Sequence, residues 1–134
     1  MRKRIRRFSF NKLVRDKIVG GIISVGNKPS FKVLSRNRYI EELKKKLVEE
    51  AKELPKAKNK IEIIDEIVDV EEIIDNLLSA IGVSRKEIKK LQKLKNIKRG
   101  SFKNRHFIDY VETKEGSEWI DYYLSNPEKY PEIK

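Results

Sequence analysis

Apolar residues recur at steps of three and four along two long stretches of this chain, and a short polar segment separates the stretches. The first stretch predicts a helix over residues 38–54 that ends at Pro55, because proline cannot continue a helix. The second stretch predicts a helix over residues 61–81 that ends at Gly82. Since only the segment PKAKNK connects them, the two helices are antiparallel neighbours, and the predicted fold class is an all-α helical bundle.

Shorter elements are predicted on either side of this pair. Ser84 and Glu87 have the spacing of a capping box, which opens a third helix that runs to about residue 98. The other predicted elements are a short helix capped by Asn11 and ended by Gly20 and Gly21, short extended segments near residues 30–35 and 106–112, and a last short helix over residues 117–124.

A length of 134 residues favours one domain with a single core. A basic N-terminal arm precedes this domain.

The second long helix is apolar over an unusually broad arc. At about 100° per residue, its predicted buried residues are Ile63, Ile67, Val70, Ile73, Ile74, Leu77, Leu78 and Ile81. An arc of this width packs on more than one neighbour. We therefore predict that a second copy of the chain completes the bundle, as a homodimer or a higher homo-oligomer.

Acidic residues fall on the packed sides of both long helices. Glu66 projects into the apolar arc of the second helix, and Asp69 lies at the margin of that arc. Glu50 lies at the edge of the apolar stripe on the first helix, with Glu53 one turn further on. A carboxylate that points into an apolar region costs several kcal/mol unless a basic residue, a proton or a metal ion compensates it.

Acids that meet between two neighbouring helices predict a metal site. Carboxylate oxygens in a partial ligand shell suit Mg²⁺, with Mn²⁺ as an alternative. The competing interpretation is a structural bundle in which each acid is solvated or pairs with a lysine. We favour metal binding by Glu50, Glu53, Glu66 and Asp69 because both helices carry the pattern on the side that packs.

The residue types that are missing exclude several kinds of chemistry. The chain has no cysteine, which excludes disulfides and thiol catalysis. Its single histidine, His106, argues against a zinc site built from histidines. No apolar run reaches the roughly 18 residues that cross a bilayer, and the first ten residues lack the apolar segment of a signal peptide. We therefore expect no membrane association and a cytoplasmic location.

The net charge of +11 favours polyanionic partners, either nucleotides or nucleic acid. An alternative function is thus a basic nucleic-acid-binding helical module without catalysis, which uses the RKRIRR arm and the lysine-rich third helix. This alternative explains the charge but not the inward acids. Those acids would repel a phosphate backbone unless they hold metal, so nucleic acid is a possible but not a favoured partner.

The acidic pattern resembles a known family. The segments Glu49-Glu50-Ala51-Lys52-Glu53 and Glu66-Ile67-Val68-Asp69 read EExxE and ExxD, the signature of the all-α nucleoside triphosphate pyrophosphohydrolases, which include the MazG-like proteins. A MazG-like subgroup, often labelled phosphoribosyl-ATP pyrophosphohydrolase-like, is similar to NKLVRDKI at 11–18, the KP turn at 28–29, YIEELKKKLVEEAKEL at 39–54 and RGSF at 99–102. The resemblance covers roughly residues 10–108 and implies one domain over that range. A basic N-terminal arm at residues 1–9 would precede this domain, and a C-terminal extension at residues 109–134 is expected to pack on it.

This resemblance implies a Mg²⁺-dependent enzyme that splits a nucleoside triphosphate into a monophosphate and pyrophosphate. The implied role is in the nucleotide pool, with phosphoribosyl-ATP as one candidate substrate. The implied fold is a helical bundle, usually dimeric or higher. Glu50, Glu53, Glu66 and Asp69 would hold Mg²⁺, with Glu49 assisting or orienting.

Hydrolysis also needs a base and cations that bind phosphate. A carboxylate not saturated by metal serves as the base, and Glu50 and Glu53 are the candidates. The candidate substrate-binding residues are Lys12, Arg15 and Lys17 in KLVRDKI, Lys98 and Arg99 at the end of the third helix, and Asn76 for sugar or base.

Overall fold

A computed structural model describes residues 2–134 of the chain. Within these residues the chain forms five α-helices and no strand, so the predicted all-α class is confirmed and the extended segments near 30–35 and 106–112 pair with nothing. The helices are α1 (Asp16–Ser24), α2 (Arg36–Glu53), α3 (Lys60–Ile81), α4 (Arg85–Arg99) and α5 (Glu118–Leu124), and a 3₁₀ turn at Leu54–Lys56 follows α2. No helix of the described part is long and apolar enough to cross a membrane.

Local signals in the sequence determine both ends of α3 and the start of α4. The Asn59 side chain accepts a hydrogen bond from the backbone N–H of Glu62 at 2.9 Å, which satisfies a free donor at the start of α3. Gly82 ends that helix in the left-handed region at φ 76°, as glycine at this position commonly does. The Ser84 hydroxyl then accepts from the Glu87 N–H at 3.1 Å, which confirms the Ser84–Glu87 capping interaction.

The first helix differs from the prediction. We expected a helix that Asn11 caps and that Gly20 and Gly21 end, but α1 begins at Asp16 and continues through both glycines to Ser24. Asn11 is in the left-handed region at φ 43° and caps nothing. A glycine inside a helix costs only about 1 kcal/mol relative to alanine, so two glycines weaken α1 without ending it.

Helices α2 and α3 pack side by side as an antiparallel pair. At one end of the pair, the Arg36 guanidinium donates two hydrogen bonds, of 3.1 and 2.7 Å, to the Ala80 carbonyl at the end of α3. Leu43 of α2 and Ile73 and Leu78 of α3 are the buried apolar residues of the described chain. The core of a single chain is therefore very small.

The broad apolar arc predicted for α3 is only partly buried. Ile73 and Leu78 are buried and Val70, Ile74 and Leu77 are half-buried, but Ile63, Ile67 and Ile81 are 41%, 45% and 48% exposed. The prediction that the last three are buried is wrong for a single chain. The physical reason is that α2 covers one side of α3, whereas the apolar arc is wider than one helix can cover.

The chain divides into two compact units, one that ends at Lys95 and one from Asn96 to Lys134. The boundary that we predicted after residue 108 stays a prediction. In the second unit, Trp119, Tyr122 and Tyr123 of α5 pack on one another, and the Tyr130 ring lies 5.2 Å from that of Tyr123. These rings form an aromatic cluster that is still largely exposed, since Trp119 and Tyr122 are 55% and 45% exposed.

Leu43 is the most deeply buried side chain, with 3% of its surface exposed. We expect Leu43→Ala to lower the free energy of unfolding by about 3 kcal/mol, through lost burial and the cavity that remains. Urea unfolding measures the change. The matched control is Val48→Ala on the same helix, where the side chain is 54% exposed and the loss should stay below about 1 kcal/mol. Equal losses at both positions would contradict the assigned core.

Candidate metal and phosphate site

Three acidic side chains from α2 and α3 meet between the two helices. Glu50 comes from α2, and Glu66 and Asp69 come from α3, where a spacing of three residues places them on one side. One carboxylate oxygen from each lies within 4.8 Å of the others, and all three residues are half-buried. Three carboxylate oxygens at this separation are the kind of ligand set that a hard divalent cation takes.

Glu66 is the least compensated of the three. Its Oε2 atom is out of contact with solvent and has no hydrogen-bond partner. Burial raises the pKa of the Glu66 carboxyl above its ordinary value, and the negative charges of Glu50 and Asp69 raise it further. The folded chain thus holds a carboxylate in a place that disfavours its charged form.

Basic side chains compensate the other two acids. The Arg15 guanidinium donates from Nη2 to Asp69 Oδ1 at 2.7 Å. The Lys46 ammonium, on α2 itself, lies 3.9 Å from Glu50 Oε1. Glu66 takes part in no ion pair with residues 2–134, so the compensation does not extend to it.

The segment KLVRDKI contributes two cations beside the acids. In addition to Arg15 at Asp69, the Lys12 ammonium lies 3.6 Å from Glu49 Oε1, which Lys46 also approaches to 3.4 Å. Lys17 lies in α1 and is exposed, and within the described residues it pairs with none of these acids. The structure therefore brings Lys12 and Arg15 to the acidic residues and leaves Lys17 in solvent.

Glu53 lies outside the three-acid set. We predicted that four acids meet, and the structure brings together three of them. The Glu53 carboxylate is 3.3 Å from the Lys56 ammonium, at the last residue of α2, where Pro55 diverts the chain into the 3₁₀ turn. It is still near enough for its charge to contribute to the raised pKa of Glu66.

Three further residues were predicted to bind substrate, namely Asn76, Lys98 and Arg99, and none of them contacts the three acids. The Asn76 side chain accepts from the Tyr39 hydroxyl at 3.4 Å and donates to the Glu72 backbone carbonyl and carboxylate at 2.8 Å, so its amide already has partners. Lys98 and Arg99 form the last turn of α4, are exposed and belong to the second unit. Their role in phosphate binding stays a prediction.

Sequence reasoning missed Lys46. Its side chain is only 19% exposed and contacts acids three and four residues further along α2. That spacing is the usual one for ion pairs on a helix, so it was visible in the sequence. What the spacing did not show is that Lys12, from a distant segment, contacts the same Glu49 carboxylate as Lys46, and that Arg15 pairs with Asp69 beside them.

The raised pKa of Glu66 predicts how stability depends on pH when no divalent metal is present. A raised pKa means that the folded chain favours the protonated form of this carboxyl. The resulting stabilisation is fully present below the ordinary pKa of 4.5 and is lost as the pH rises through the raised pKa. We therefore expect Glu66→Gln to be more stable than the wild type near about pH 8, with a difference that shrinks towards about pH 4. Urea unfolding in EDTA across this range tests the sign, and a difference that grows on acidification would contradict it.

Carboxylates, a guanidinium and an ammonium side by side suit a phosphorylated substrate bound together with a divalent cation. Comparison of the chain with protein-family models, with curated proteins and with solved structures gives no match. The resemblance to the MazG-like pyrophosphohydrolases thus depends on the quoted motifs alone.

Proposed function

We propose that this chain is a Mg²⁺-dependent nucleoside triphosphate pyrophosphohydrolase, with Mn²⁺ as an alternative metal. The observation that carries the proposal is half-buried Glu66, whose Oε2 atom is out of contact with solvent and has no hydrogen-bond partner, and which lies beside two further carboxylates. Such an arrangement is costly for a bundle without a ligand. A bound cation removes the cost and gives the acids a function.

Glu50, Glu66 and Asp69 would hold the ion, with Glu49 assisting through its shared contact with Lys46. When bound, Mg²⁺ supplies positive charge against phosphate oxygens and makes an attacking water more acidic. Glu53 lies at the edge of this group and is 46% exposed. We assign it the role of the base that accepts the proton from water, with Glu50 as the second candidate.

Arg15 and Lys12 would bind the phosphates of the substrate. Both side chains already contact acids of the site, and Arg15 is 57% exposed, so it can turn towards a ligand. A guanidinium suits this role because it can donate two parallel hydrogen bonds to one phosphate. The choice of the bond that is cleaved, with pyrophosphate as a product, follows from the MazG-like motifs.

The exposed apolar residues of α3 support a homodimer. Ile63, Ile67 and Ile81, together with half-buried Ile74, lie along one side of the helix at spacings of four, seven and seven residues. Such a stripe is the usual contact surface of a helix in a four-helix bundle. Two α2–α3 pairs packed along this stripe would form a bundle with a core of adequate size.

The proposed reaction can be tested with a panel of canonical and modified nucleoside triphosphates. Each is assayed with Mg²⁺, with Mn²⁺ and with EDTA. Coupled assays distinguish pyrophosphate from orthophosphate. We expect a divalent ion to be required and pyrophosphate and a nucleoside monophosphate to form in equal amounts. Release of orthophosphate alone, or equal rates in EDTA, would contradict the proposal.

A further inference from the structure

The positive charge of the chain is concentrated in two places. Helix α4 has eight lysines and arginines and one acid, and residues 2–7 have five cations and no acid. Because the net charge is +11, the rest of the chain is almost neutral. The cations that contact the acids of the proposed site, Lys12, Arg15 and Lys46, belong to neither of these concentrations.

Contacts at its first turn fix α4 on α3. Arg85 donates from Nε to Asp75 Oδ1 at 2.6 Å and also pairs with the Glu71 carboxylate. Ile88, one turn further along α4, is half-buried. The charged hydrogen bonds of Arg85, together with the partial burial of Ile88, indicate which side of α4 is turned outwards over this part of the helix.

Four lysines of α4 share the outward side. At about 100° per residue, Lys86, Lys89, Lys90 and Lys93 lie within an arc of about 100°, which we term the lysine face. All four are exposed, and none pairs with an acid among the described residues. Glu87, the one acid of the helix, lies outside this arc, Ile88 and Leu91 lie on the opposite side, and Leu94 lies beside Lys90 at the margin of the arc.

We infer that the lysine face binds the phosphate backbone of nucleic acid without reading its sequence. The face extends over eight residues, or about 10 Å of helix. A duplex carries one negative charge for about every 1.7 Å of its axis, so a single contact supplies enough phosphates for four lysines. Contacts of this kind release counterions and give affinity that depends strongly on salt.

The arrangement favours nucleic acid over an anionic membrane. A helix that lies in a membrane surface buries one continuous apolar side in the lipid. The apolar residues of α4, Ile88, Leu91, Leu94 and Ile97, are three positions apart, so at about 100° per residue their directions turn through about 180°, and Ile97 falls within the arc of the lysine face. Helix α4 therefore has no continuous apolar side for lipid, whereas a phosphate backbone requires only the exposed lysines.

The test compares two full-length variants with equal charge changes. Lys86, Lys89, Lys90 and Lys93 are replaced by glutamine in one, and Lys28, Lys32, Lys114 and Lys134, all exposed, in the other. Fluorescence anisotropy with a labelled mixed-sequence DNA duplex, in EDTA, gives affinity at several KCl concentrations. We expect the first variant to bind more than tenfold more weakly at about 100 mM KCl and to lose about three to four from the slope of log K against log salt. The second variant should bind almost as well as the wild type.

Three results would overturn this inference. Equal losses in both variants would show that binding follows net charge rather than the lysine face. Unchanged binding by the first variant would exclude the face. Binding to vesicles of anionic phospholipid with none to duplex DNA or RNA would assign the lysines to a membrane. Because the assay contains no nucleoside triphosphate and no divalent metal, its outcome does not depend on the proposed hydrolysis.

Discussion

Replacing Glu66 with glutamine is expected to lower Mg²⁺-dependent pyrophosphate release at least a hundredfold. Glutamine keeps the size of the side chain but removes the charge that binds a cation. Glu66 makes no ion pair with the described residues, so this substitution, unlike Asp69→Asn, breaks no contact with Arg15. A steady-state assay for pyrophosphate, with Mg²⁺ varied over several orders of magnitude, measures the loss.

The matched control for this prediction is Asp65→Asn. Asp65 precedes Glu66 on α3, is exposed and lies outside the three-acid set, so its substitution removes the same charge without removing a proposed ligand. We expect this control to keep its turnover within a few-fold of the wild type. Thermal unfolding adds a second readout, since Mg²⁺ should raise the melting temperature of the control but not that of Glu66→Gln. Full turnover by Glu66→Gln would show that the site is wrongly assigned.

Replacing Ile67 with lysine is expected to weaken self-association at least a hundredfold. Ile67 lies in the exposed apolar stripe of α3, and a lysine there would place an unpaired charge in the proposed dimer interface. Burial of such a charge costs several kcal/mol, and each 1.4 kcal/mol corresponds to a factor of about ten in affinity. Sedimentation equilibrium over a wide range of protein concentration measures the change without reference to activity.

Ile61→Lys is the control for the interface because it makes the same chemical change on the same helix. Ile61 is 80% exposed and lies away from the stripe, so the variant should associate like the wild type. A wild type that stays monomeric at every concentration would refute the homodimer. Dissociation by both variants would place the interface elsewhere on α3.

The sequence was sufficient for the two long helices to within two residues at each end, because local chemistry determines those ends. The first helix begins at Arg36 rather than at residue 38, since Ser35 caps it. Pro55, Asn59 and Gly82 each act within one turn of the helix that they begin or end. Such signals do not depend on the rest of the fold. The limits of α1 were not predictable in the same way, since Gly20 and Gly21 are tolerated inside the helix and its start at Asp16 carries no side-chain cap.

The site was predictable in part. Periodicity placed Glu66 and Asp69 on the packed side of α3 because three-residue spacing is a local property. The contact of Arg15 with Asp69 joins residues 54 positions apart, and no local pattern indicates it. Glu53 differs from the prediction because helical periodicity takes no account of the turn that follows at Pro55 or of Lys56 beyond it.

The short connection between α2 and α3 has a consequence for how the chain reaches its folded state. Glu50 and Glu66 are sixteen positions apart, and residues 54–59 alone join their helices. Closing so short a loop costs little entropy, and local contacts form faster than distant ones. We therefore expect repulsion between the acids to oppose an early step, the docking of the helical hairpin. Cations that screen this repulsion should speed that step, so the folding rate of the chain should depend on the ionic composition of the medium.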